Sequence, residues 1–154
     1  MSRSEDETSV APIRYAAAFE VQPFGNRLVT MTLTGEKVQR LLDLQFEVGR
    51  LLQVSKGFSY RLVTPGGQSH PSVEPGSIRI GGKPLEPKRK YRVTVNSFLA
   101  AGGDRFAILL EGTDRKEGPL DVDVLADYLG KTSSPTKPLD PSVVGGRIGG
   151  DSCK

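Results

Sequence analysis

Between Leu28 and Phe46 the hydrophobic pattern changes period from two to 3.6 with almost no spacer, and this switch constrains the fold more than any other stretch of the chain. Val29, Met31 and Leu33 alternate with Leu28, Thr30, Thr32 and Thr34, which is the pattern of a strand with one buried face. Thr34-Gly35 stops the strand. From Glu36 to Phe46 the residues Val38, Leu41, Leu42, Gln45 and Phe46 then fall on one side of a helix, as core rather than as a ligand-binding stripe.

The remaining elements extend this to an α+β layout. A short helix is expected from Tyr15 to Phe19, ending before Pro23. Leu52 to Val63 reads as one or two strands interrupted at Lys56-Gly57, and Ser77 to Leu85 as a hairpin turning at Gly81-Gly82. Tyr91 to Val95 is the clearest strand of the second half. Leu120 to Leu129 carries Val122, Leu125, Ala126 and Leu129 on one helical face, with Gly130 in the place of a C-cap. The expected fold is a single α+β domain of mixed and antiparallel strands with two or three helices. A chain of 154 residues with 36% hydrophobic content supports one core and hardly two. The polar, acidic residues 1–9 read as a disordered leader, 10–130 as the domain, and the Ser-, Pro-, Gly- and Thr-rich residues 131–154 as a flexible tail.

Most catalytic chemistries lack their residues. A two-metal site needs many convergent nitrogen and oxygen ligands, and the chain has one histidine, His70, in a turn-rich Gly-Gly-Gln-Ser-His-Pro stretch. The one cysteine, Cys153, lies in the polar tail, and no serine or cysteine stands beside an evident base. Neither nucleotide-binding glycine fingerprint is present. A net charge of +3 is too small an excess to indicate nucleic acid, and the basic run Lys88-Arg89-Lys90 reads as a solvated hairpin edge. No stretch reaches the ~20 apolar residues of a membrane span, and Met1 to Ser9 has no apolar signal region.

Two runs remain that suit a ligand: Pro23-Phe24-Gly25-Asn26 and Gly102-Gly103-Asp104-Arg105-Phe106. Each sets an aromatic ring beside glycine backbone, which another group can approach closely because no Cβ intervenes. An aromatic face stacks on any planar ring, so Phe24 and Phe106 can clamp a nucleobase or can equally belong to the core. Asn26 offers an amide to a base or ribose edge, or closes its own turn. Asn96 and Asp104 read first as loop-stabilising residues.

Four ordered blocks resemble the C-terminal domain of the 5′-nucleotidase and UDP-sugar hydrolase family. They are Phe19 to Asn26, Leu28 to Gly35, Leu52 to Tyr60 and Val95 to Asp104, within a likeness spanning Tyr15 to Tyr128. The resemblance implies that Phe24 and Phe106 sandwich the base, with Gly25, Asn26, Gly102, Gly103 and Asp104 around it and Glu111, or next Asp114, near the ribose. It also implies a nucleotide or nucleoside as ligand and a role in nucleotide catabolism. In that family hydrolysis belongs to a separate metallophosphoesterase domain holding divalent metal ions, so this chain alone is expected to be inactive and to carry no cofactor of its own.

The departures are specific. The family's Asn-x-Gly-Gly-Ile-Arg segment, which precedes these blocks, is missing, as in an N-terminally truncated domain, and Arg105 stands where glycine is usual. Arg105 can reach a phosphate or screen the ring. Family members are commonly exported, whereas this sequence gives no address. The alternatives to a recognition domain are a non-catalytic module binding a nucleoside or a protein, and a degenerate fragment.

Overall fold

The computed structural model describes residues 12–66, 71–139 and 147–150. Two small sheets flank one amphipathic helix. The first sheet has the order β6-β1-β7 and is antiparallel, built from β1 (Arg27–Thr34), β6 (Lys90–Asn96) and β7 (Thr113–Leu120). The second is formed around β2 (Phe58–Val63), which pairs with β3 (Ser72–Val73), with β4 (Arg79–Ile80) and, in parallel, with β8 (Ile148–Gly150); β5 (Lys83–Pro84) closes its edge. Helix α2 (Gly35–Val48) lies between them: Val38 and Leu41 enter the core of the first sheet, and Leu42 enters that of the second.

The switch from strand to helix occurs where the sequence places it. Val29, Met31 and Leu33 are buried on one face of β1, and the Thr34 hydroxyl caps α2 by accepting from Lys37 N. Gly35 makes the abrupt turn possible, since a Cβ there would stand 2.1 Å from the backbone oxygen of Glu86. The helix ends at Gly49, whose φ of 68° forms a left-handed cap. One buried amide joins the layers: Gln45 donates to Leu42 O and accepts from Leu52 N and the Tyr60 hydroxyl.

Other expectations hold in part. Only Phe58–Val63 of the Leu52 to Val63 stretch is a strand, because the chain turns at Gly57, with φ at 86°. The hairpin at Gly81-Gly82 forms with both glycines at positive φ, in two-residue strands. The closing helix α4 (Asp121–Thr132) runs through Gly130 and is capped at Ser133. With α1 (Tyr15–Val21) and α3 (Ser97–Ala100) the described residues hold four α-helices, plus two 3-10 turns at Gly103–Arg105 and Ala107–Glu111. β7 escapes hydrophobic patterning altogether, because it is a polar, charged strand. Gly149-Gly150, read as flexible tail, pairs in β8 with β2, while His70, Cys153 and the expected leader lie outside the described residues. Among the described residues no helix is long and apolar enough to cross a membrane.

Candidate functional site

Strand register brings the segments that lead from the two glycine–aromatic runs to one end of the first sheet. β1 and β6 are antiparallel with Leu28 opposite Asn96, so the chain entering β1 and the chain leaving β6 emerge at the same end of the sheet. Ser97 ties them together. Its hydroxyl donates to Asn26 Oδ1 at 3.2 Å and accepts from Arg27 N at 3.2 Å. Asn96 Oδ1 caps α3 by accepting from Leu99 N at 2.8 Å, which is the structural role expected of it.

On this frame Phe24 is 75% exposed beside Gly25, whose φ is 62°. Phe106 does not face it. The Phe106 ring is 0% exposed and packs in the first core with Val29, Met31 and Leu109, so the sandwich read from the sequence is not formed by this pair of residues. The physical reason is the apolar run that Phe106 begins, in which Ile108 and Leu109 are buried with it.

The second exposed ring is Phe98, 51% exposed on α3 and lying against Gly103. A Cβ on Gly103 would come within 2.6 Å of this ring, so the glycine is what lets the ring settle there. Periodicity misses Phe98. Its signal is its place between a capping Asn96 and Gly102-Gly103, where a four-residue helix leaves no room to bury every apolar side chain.

The loop after α3 is tightly wound. Gly102, Asp104 and Arg105 all have positive φ, at 83°, 51° and 68°. Non-glycine residues in this region are strained and concentrate at functional sites. Asp104 caps neither 3-10 turn; its carboxylate lies 3.8 Å from Arg50. Arg105 is exposed and donates to Val48 O at the end of α2. Glu111 is ion-paired with Lys37 at 3.0 Å, and Asp114, at φ 49°, is the second residue of β7. Arg115 fastens the loop from the sheet side by donating to Ala100 O and Leu109 O. Among the described residues no three His, Cys, Asp or Glu side chains converge in a way that could hold a metal ion, so no step through a metal is assigned to these residues.

Comparison with known proteins places this arrangement. The family described as 5′-nucleotidase, C-terminal domain, matches residues 2–111. Protein UshA of Yersinia enterocolitica is 32% identical over 143 residues, covering 89% of this chain and 24% of that protein. An apyrase of Anopheles gambiae is 31% identical over 128 residues, covering 79% of this chain and 22% of the apyrase. The crystal structure of a 5′-nucleotidase precursor from Thermus thermophilus superimposes with a TM-score of 0.65 at 35% identity, over 90% of this chain and 28% of that one. The chain thus spans about a quarter of the length of these relatives.

Proposed function

The chain belongs to the 5′-nucleotidase C-terminal domain family, and we propose that it is the part of such a hydrolase that recognises the nucleotide or nucleoside. The observation that supports this reading is that two exposed aromatic rings, Phe24 and Phe98, belong to neighbouring segments joined by the hydrogen bond between Ser97 and Asn26. The planar faces accept a base. In this reading Asn26, two residues after Phe24, and Asp104, in the loop after α3, supply polar groups for a base edge or ribose hydroxyls. Phe106 acts beneath the site as the core residue that holds the loop.

The expected affinity is low. Stacking contributes roughly 1–3 kcal/mol per ring, so two rings supply about 2–6 kcal/mol. Association costs at least ~4 kcal/mol. The remainder corresponds to dissociation constants on the order of 1 mM unless polar contacts add to it. In this reading phosphate-ester hydrolysis in nucleotide catabolism requires a separate metallophosphoesterase domain. The test is a saturation-transfer NMR titration of adenosine, AMP and UMP into the chain. Transfer to base protons at millimolar ligand supports the reading, and its absence with folded protein overturns it.

A further inference from the structure

The two edges of the first sheet are built differently. β7, at one edge, is protected: its sequence Thr-Asp-Arg-Lys-Glu-Gly-Pro-Leu is charged, includes Pro119, and pairs with β1 through two register shifts. Such features discourage another strand from pairing. β6, at the other edge, carries Lys90 and Arg92 but has neither a proline nor a register shift. It is Lys-Tyr-Arg-Val-Thr-Val-Asn, paired with β1 in unbroken register from Lys90 to Asn96, and β-branched at Val93, Thr94 and Val95. Among the described residues the only strand beside β6 is β1.

A groove of about 660 Å³ runs along this open edge. Every residue from Arg89 to Val95 lines it, whereas a pocket lying against one face of a strand would meet alternate residues. The opposite wall is the irregular segment from Leu52 to Gly57 together with the β4–β5 hairpin, and β5 is itself an edge of the second sheet. Apolar floor is supplied by Tyr91, Val93 and Val95. The charged side chains lining the groove are all cationic: Lys56, Lys83, Arg89, Lys90 and Arg92. Arg89 is paired with Glu86, and Arg92 bonds to Thr32 and to backbone oxygens, while Lys56, Lys83 and Lys90 form no ion pair among the described residues.

We propose that this groove receives an extended strand from another polypeptide, in which carboxylate side chains alternate with short apolar ones. The backbone of that strand pairs with β6, its apolar side chains meet Tyr91, Val93 and Val95, and its carboxylates meet the three lysines. This is strand addition to a free edge, where main-chain hydrogen bonds give affinity and alternate side chains give selectivity. It is independent of nucleotide recognition by Phe24 and Phe98.

The probe is the heptapeptide Glu-Val-Glu-Val-Glu-Val-Glu, blocked at both ends and titrated into the 15N-labelled full chain. Amide shifts confined to Lys90–Asn96 and the facing Leu52–Gly57 segment, with β7 amides unmoved, are expected. The same peptide with Lys for Glu should bind at least ten times more weakly. Replacing its central Val with Pro should abolish binding by removing a main-chain donor. The double variant Lys83→Glu/Lys90→Glu, altered only at exposed positions, should reverse the preference toward the Lys peptide. The proposal is overturned by unmoved β6 amides at millimolar Glu peptide, by equal binding of both peptides, or by β6 shifts that follow protein concentration alone, which would mean that a second copy covers the edge.

Discussion

Ser97 and Asn26, 71 positions apart in sequence, are joined by a hydrogen bond of 3.2 Å between the Ser97 hydroxyl and Asn26 Oδ1. That contact, at the shared end of β1 and β6, brings the loop of Phe24 beside the loop of Phe98. The consequences can be measured one residue at a time.

Gly103→Ala is expected to disturb Phe98 more than the fold. The new methyl would meet the ring at 2.6 Å, and a half-exposed ring can swing aside where backbone could not. The stacking contribution lost is about 1–3 kcal/mol. AMP affinity should therefore fall while the urea midpoint changes little, as checked by NMR titration and urea unfolding of the same sample.

Arg105→Gly should stabilise the protein. The φ of 68° strains a side-chain-bearing residue, and relief of about 1–2 kcal/mol exceeds the lost Arg105 contact with Val48 O and the entropy of an added glycine. A rise in the urea midpoint is the expected result.

Gln45→Leu should destabilise by about 2–3 kcal/mol, because Leu52 N and the Tyr60 hydroxyl lose their shared acceptor inside the core. Urea unfolding of the variant measures this directly.

The Tyr15 hydroxyl donates to Asp123 Oδ1 at 2.8 Å and joins α1 to α4. That hydrogen bond, with smaller contributions from desolvation and the Asp123 charge, holds the Tyr15 phenol above its ordinary pKa. A raised phenol pKa favours the protonated form in the folded state, so the contact contributes fully below the ordinary tyrosine range and is lost as pH climbs through the raised value. In Asp123→Asn, ultraviolet titration of phenolate should show Tyr15 ionising at lower pH than in the parent chain.

How far the sequence discloses this protein depends on how local the deciding interactions are. β1 and α2 are legible because their burial follows from period alone, and the Gly81-Gly82 hairpin because both positions require positive φ. β7 is not legible, since its eight residues are exposed or half-buried and it is a strand only because β1 offers it an edge. Gly130 misleads because the cap falls later, where the Thr132 and Ser133 hydroxyls donate to Tyr128 O and Leu129 O. At the site, the blocks around Phe24 and Gly102-Gly103 are visible in sequence. Which nearby phenylalanine faces outward is a tertiary matter: Phe106 is drawn inward with Ile108 and Leu109, while Phe98 rests on Gly103.

The most direct test compares AMP binding to the parent chain, Phe24→Ala, Phe98→Ala and Phe106→Leu by ligand-observed NMR, after confirming that each is folded. Leucine keeps the Phe106 site apolar while removing its ring. Binding by the parent and Phe106→Leu, and loss in Phe24→Ala and Phe98→Ala, is the predicted result. Binding that survives Phe98→Ala but disappears in Phe106→Leu would contradict the account, as would a folded parent chain that binds no AMP at millimolar concentration.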